Sequence, residues 1–209
     1  MKTKKTLMST ILIIALLLAS ITKVKAQHIE ISPLIGHETG AYTQTSLGKL
    51  HVAGGLDFGG SMDVNMGGGR YAELSFTQLY SSLSYETGVT ISQLTDIIVD
   101  YYSAGILQEM KPGAKVTPYG LFTLGVVNYN PASNDYSSEN KMHISLAGGV
   151  KINPSEKVGI RLQARLLLPI VYTGGYLYAG SGGAGYGVTG GFRGVQGDFT
   201  AQLVFKVGQ

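Results

Sequence analysis

The sequence predicts an all-β protein, an eight-stranded antiparallel up-and-down transmembrane β-barrel. Three observations carry that prediction. Beyond residue 26, apolar and polar residues alternate with period two, and no segment shows a convincing helical period. The connections between predicted strands alternate between short and long. The polar phase is made mostly of Gly, Ala, Ser, Thr and Gln, with few charges, where a soluble exterior carries abundant Lys and Glu.

Residues 1–26 stand apart. Lys2, Lys4 and Lys5 form a basic start, "ILIIALLL" is a short apolar run, and Val24-Lys25-Ala26 is a small-residue cleavage site before Gln27. That order of features is a secretory signal peptide, and the apolar run is too short for a comfortable membrane span. The predicted domains are therefore a signal peptide, 1–26, and a barrel domain, 27–209. The formal charge of +3 includes Lys2, Lys4, Lys5, Lys23 and Lys25; without them 11 basic residues face 13 acidic ones, a net of −2. The basicity belongs to the export signal, and nucleic acid is excluded as a partner. With no Cys in an exported chain, stability rests on no disulfide.

The strands are predicted in order at about 27–37, 50–65, 70–85, 96–110, 115–129, 141–153, 157–172 and 193–208. The first contains Pro33, which a strand tolerates at an edge, an end or a bulge. The second places Leu50, Val52, Leu56, Phe58, Met62 and Val64 on one phase, and His51, Asp57 and Asp63 on the other. In the third, Ala72, Leu74 and Phe76 oppose Glu73, Ser75 and Thr77. The phase then slips near Gln78, continuing through Leu79, Leu83 and Tyr85, which predicts a bulge. The fourth, "DIIVDYYSAGILQEM", has no clear phase. The sixth and seventh, "MHISLAGGVKI" and "VGIRLQARLLL", alternate without a break around the turn "NPSEK". The last puts Val195, Phe199, Ala201, Leu203 and Phe205 opposite Gln196, Asp198, Thr200 and Gln202.

Short turns "MGGGR", "KPGAK" and "NPSEK" lie at one end of this array. Long connections, including "NPASNDYSSEN" and "TGGYLYAGSGGAGYGVTGG", lie at the other. Outer-membrane barrels have such an asymmetry, with short periplasmic turns and longer external loops. The long apolar rows then face lipid, because a charge on that face near the midplane costs about 2–4 kcal/mol. Two aromatic girdles are expected: Tyr71, Tyr119 and Phe205 toward the turn end, and Tyr85, Tyr129 and Tyr172 toward the loop end.

The stretches "PYGLFTLG" (Pro118–Gly125) and "GGVKINPSEKVGIRLQAR" (Gly148–Arg165) carry a family resemblance. They resemble the small outer-membrane β-barrels of Gram-negative bacteria, the OmpA/OmpX/OmpW-like eight-stranded proteins. The resemblance implies residence in the cell outer membrane after Sec export and cleavage near Ala26-Gln27. It implies outer-membrane lipid and lipopolysaccharide as surroundings, and periplasmic chaperones and the barrel insertion machinery as partners in biogenesis. It implies no cofactor. Many such proteins end in an aromatic residue read by the insertion machinery, whereas this chain ends "FKVGQ".

The chemistry on offer is limited. Asp57, Asp63, Glu73, Lys151, Arg161 and Arg165 fall on the inward phase and form a candidate interior polar network, structural or gating. An eight-stranded lumen is only wide enough for side chains, which favours the structural role, and the planar fork of Arg suits it to binding carboxylates from several strands. His143 and Ser145, two apart on one strand face, resemble fragments of a lipid A deacylase, but no third, orienting acid is assignable. Gly180–Gly185 matches G-x-G-x-x-G, yet the flanking sequence offers no βαβ unit. His28, His37, His51 and His143 show no zinc spacing, so no metal site is predicted. Tyr176, Tyr178 and Tyr186 are a candidate loop surface for a glycan or protein ligand. The function expected is that of a non-enzymatic membrane barrel with a structural or surface-interaction role through its loops. The alternatives are a narrow or gated pore for small solutes, a membrane-embedded lipid-modifying enzyme, and a soluble ligand-binding barrel with its faces inverted.

Overall fold

The computed structural model describes residues 28–208, apart from 46–47, 88–89, 134, 136, 181–182 and 193–194. The side chains of 42–50, 87–91 and 171–194 also fall outside the described part, as does the predicted signal peptide. Among the described residues eleven strands are present: β1 (Ile29–Glu38), β2 (Ala41–Thr45), β3 (Gly48–Val52), β4 (Gly55–Gly67), β5 (Arg70–Thr87), β6 (Thr90–Glu109), β7 (Val116–Pro131), β8 (Glu139–Ile152), β9 (Val158–Gly180), β10 (Gly183–Phe192) and β11 (Gln196–Val207). Eight of them, β1, β4, β5, β6, β7, β8, β9 and β11, pair antiparallel in a closed ring, in which β5 meets β6 and β1 meets β11. Closure leaves no free edge at the level of the barrel, so each backbone donor and acceptor there finds a neighbour.

The register fixes the shape. From Ile31, pairings run one way through Met62, Leu74, Ala104, Leu124 and Ile144 to Leu168. The other way they run through Phe205 to Val158. The two paths land ten residues apart on β9, which is the stagger of the barrel. Strands in such a barrel tilt by roughly 35–45°.

Every residue of that row faces outward. The exposed large side chains Ile31, Met62, Leu74, Leu124, Leu162 and Phe205 belong to this wall. The opposite phase is buried: Glu30, Ser61, Glu73, Ser103, Thr123, Ser145, Arg161 and Gln202 are all below a tenth exposed. Apolar outside and ionic inside is the order a bilayer imposes, and it inverts that of a soluble barrel.

The short turns sit at one end as predicted. In the β4–β5 turn Gly67, Gly68 and Gly69 all have positive φ, a conformation other residues reach only with strain. The long connections are more ordered than the sequence suggested. The β5–β6 ladder continues up to the Thr87–Thr90 pair. β2 and β3 form a hairpin whose second strand pairs with β5, and β9 continues upward to pair with β10. The stretch read as one second strand is therefore two, β3 and β4, separated at Ala53–Gly54. The glycines and polar residues of the long connections weakened the β signal there, while the backbone ladder needs no side chain.

Three expectations need correction. No register shift occurs near Gln78; β5 alternates evenly there, and the irregularity in its pairing with β6 lies between Leu83 and Ser84. The apparent slip arose because the inward row changes composition, from Glu73, Ser75 and Thr77 to Leu79 and Leu83. The unclear phase of β6 has the same origin: Ile97, Val99 and Tyr101 are buried inside while Ile98 and Tyr102 are exposed outside. Tyr71 and Tyr119 are not girdle residues either. They share the phase of Glu73 and Arg161's partners, and both are buried in the lumen. Phe205 does lie outside; toward the loop end Tyr129 packs against the buried apolar cluster, the side chain of Tyr172 lies outside the described residues, and the exposed aromatics include Phe58, Tyr80 and Phe199.

Candidate functional site: the lumen

The lumen is layered. Nearest the turns, Lys151 on β8 extends its ammonium between Glu30 of β1 and Glu109 of β6, at 2.7 and 3.1 Å. The ring of Tyr71 lies 4.0 Å beneath that ammonium, a cation–π contact that covers its remaining face.

Arg161 on β9 forms the next layer and crosses the barrel. Its Nη1 donates to Asp63 of β4 at 3.2 Å, and its Nη2 donates to Glu73 of β5 at 2.7 Å. Nε donates to the Tyr119 hydroxyl, which in turn donates to Gln163; Nη2 also reaches that Gln163 carbonyl. The fork of Arg thus joins β4, β5, β7 and β9 through one buried group, which a point-charge ammonium would not do.

Small hydroxyls fill the middle. Ser32, Ser61, Ser75 and Ser103 are opposite one another across β1, β4, β5 and β6. Above them Arg165 donates to Asp198 from Nε at 2.7 Å and to Thr77 from Nη2 at 3.4 Å. Higher still, Glu38 accepts from the Tyr101 hydroxyl at 2.7 Å and from Gln196 at 2.8 Å.

The loop end of the lumen is apolar. Leu79, Leu83, Ile97, Val99, Tyr101, Val127 and Leu167 form one buried cluster, with Val52 and Tyr129 packed against it. This plug draws on four barrel strands and on the β2–β3 hairpin.

All six predicted network residues are in the lumen, but they do not form one network. Asp63, Glu73 and Arg161 meet directly. Lys151 and Arg165 instead take partners the sequence reading did not assign: Glu30 and Glu109 for the first, Asp198 for the second. Strand phase alone would have found all three, since each lies on the inward row. Asp57 is buried without any hydrogen-bond partner.

The His143–Ser145 pair does not meet. His143 Nε2 is 3.0 Å from Ser103 Oγ, while Ser145 bonds Thr123 at 2.6 Å. His143 Nδ1 has no partner, so no acid orients the ring. Gly180 and Gly183–Gly185 lie on β9 and β10, with no helix to hold a phosphate. His37 faces outward and contacts the Gly55 carbonyl at 2.8 Å; His28 and His51 are exposed. Among the described residues no group of His, Asp or Glu has a metal-holding arrangement. Tyr176 and Tyr178 stand opposite Gly187 and Gly185, and Tyr186 stands opposite Leu177; their side chains lie outside the described residues.

No protein-family model matches the chain, and no curated protein matches it. Solved structures do. The outer membrane protein OprG from Pseudomonas aeruginosa is 13% identical with a TM-score of 0.64, covering 88% of this chain and 97% of its own. Neisserial surface protein A is 16% identical with a TM-score of 0.58, covering 86% of this chain and 97% of its own. With an apolar exterior, an ionic interior and a closed ring of eight antiparallel strands, the chain has the fold of the small OmpA/OmpX/OmpW-like outer-membrane β-barrels.

Proposed function

We propose that this protein is a non-enzymatic outer-membrane barrel whose lumen is sealed and whose work is done at the surface, by the strand extensions above the bilayer. One observation carries the reading: large inward side chains are buried at both ends of the lumen. Arg161, Tyr101, Lys151, Leu79, Val99 and Val127 are each less than 2% exposed, so water scarcely touches them. The two barriers differ in kind. Ion pairs close the turn end, and a dry apolar cluster closes the loop end.

An enzymatic role lacks its parts. Among the described residues the His143–Ser103 contact is enclosed in the lumen, away from both lipid and solvent, and has no orienting acid. What remains available to partners is the outside: the β2–β3 hairpin, the extended β5–β6 ribbon and the β9–β10 ribbon. Such extensions on a rigid scaffold are where binding surfaces concentrate.

The test is conductance together with loop replacement. Purified full-length barrel in planar bilayers is expected to show no steady channels. Exchanging the β9–β10 ribbon for a short turn is expected to leave the barrel folded and to abolish adhesion of expressing cells to a glycan or protein array. Stable open channels in the unmodified barrel would refute the sealed-scaffold reading.

A further inference from the structure

Among the described residues the lumen holds more carboxylates than cations, and of the five buried carboxylate oxygens without a hydrogen-bond partner four lie in one layer. In the lower layers four carboxylates are bonded to cations: Glu30 and Glu109 to Lys151, Asp63 and Glu73 to Arg161. In the upper layer Glu38, Asp57 and Asp198 have, among the described residues, one cation between them, Arg165. Asp198 takes that guanidinium, and Glu38 is held by Tyr101 and Gln196. Asp57 is fully buried, and neither of its oxygens has a partner. One oxygen of Glu38 and one of Asp198 are also unpartnered, so acceptors without donors crowd this layer.

The backbone explains how they come together. Gly36 of β1 stands between Asp57 on β4 and Thr200 on β11, and Glu38 stands opposite Asp198. A Cβ at Gly36 would lie 2.5 Å from Asp57 Oδ1. The carboxyl of Asp57 therefore lies over a strand position with no side chain, aimed across β1 toward the strand that carries Asp198. The charged groups around it are Glu38 from β1, Asp198 from β11 and Arg165 from β9; β5 brings only Thr77 and Leu79. His37 of β1 is on the outer face, against the Gly55 carbonyl.

An ionised carboxylate with no donor and no water is among the costliest groups to bury, and such groups neutralise instead. No water-sized space adjoins Asp57, which leaves no place for a hydrated ion. A proton needs no space, and two carboxyls sharing one site hold one between them. We infer that the upper lumen is a proton-binding site, in which Asp57 is a neutral acid and donates to an unpartnered carboxylate oxygen of Asp198 or Glu38. The proton supplies the donor that this layer lacks. Its loss would set a further negative charge beside one guanidinium, next to the Glu38 clamp on Tyr101 at the base of the plug.

Infrared spectroscopy of the full barrel in lipid vesicles at neutral pH tests this, in light and heavy water. The wild type is expected to show a protonated-carboxyl C=O stretch that moves on deuteration and is absent from Asp57→Asn. Because the amide matches the neutral acid in shape, Asp57→Asn is expected to keep or raise the thermal midpoint. A wild-type spectrum without that stretch overturns the proposal, and so does a stretch undiminished in Asp57→Asn. Should Asp57→Asn not insert, Asp198→Asn and Glu38→Gln each change one of the two acceptors, and one of them is expected to shift the stretch; a stretch unshifted in both overturns the inference equally.

Discussion

The lower and upper halves of the lumen solve the same problem with opposite chemistry. Both must fill a narrow tube without leaving polar groups unmatched. The lower half does so with Lys151 and Arg161, each between two carboxylates and each covered by a tyrosine ring. The upper half does so with Leu79, Val99, Val127 and Leu167, which have no polar groups to match. Between them lies the Arg165 layer, where matching is incomplete and acceptors outnumber donors. The difference teaches where each half draws its specificity. Buried ion pairs add little net stability over well-packed apolar groups, but breaking one is expensive because the partner charge is stranded. The lower half therefore fixes register, and the upper half tolerates change in proportion to the volume removed.

The sharpest test is to strand charge in the lower half. Arg161→Met leaves Asp63 and Glu73 without a cation in a dry tube, and a loss of about 3–5 kcal/mol is expected. Urea unfolding in lipid vesicles measures it; a loss below that of any plug truncation would reverse the contrast between the halves. The plug comes next. Leu79→Ala removes buried volume from a site that cannot collapse freely, at an expected cost of about 2–4 kcal/mol by the same assay. It is expected to leave the bilayer silent, since the Arg161 layer still closes the tube.

A smaller effect is expected at the boundary. Gly36→Ala sets a methyl group 2.5 Å from Asp57 Oδ1 and 2.7 Å from the Thr200 methyl, and overpacking of this kind costs roughly 1–3 kcal/mol. A neutral result there would mean that Asp57 has room to move, and would loosen the account of the upper layer. Least of all, Lys141→Ala removes a partly exposed pair with Glu139 at the rim, and a change within about 0.5 kcal/mol is expected. That variant serves as the reference against which the lumen changes are judged.

Much of the barrel was legible. Leu74 and Phe76 against Glu73 and Thr77, or Ile160 and Leu162 against Arg161, give the two faces outright, because a strand turns each successive side chain to the other side. The short turns with their glycines gave the lower end. What failed was the upper third. At Leu79, Val99 and Tyr101 the inward row is as apolar as the outward one, so alternation vanishes and imitates a bulge in β5 and a lost phase in β6. The site residues were legible as a set and not as pairs, since Lys151 finds Glu30 from 121 positions away.

The sequence by itself determined the number of strands in the ring, the two faces of most of them and the end at which the turns lie. Period and turn chemistry are local properties, and a bilayer leaves only one way to orient the faces. The stagger of the ring was decided by the tertiary structure alone. That stagger brings Arg161 level with Asp63 and Glu73, and it leaves Asp57 beside a bare glycine with no cation bonded to it. A local pattern specifies a face, but a partner across the tube depends on how far eight strands slide before they close.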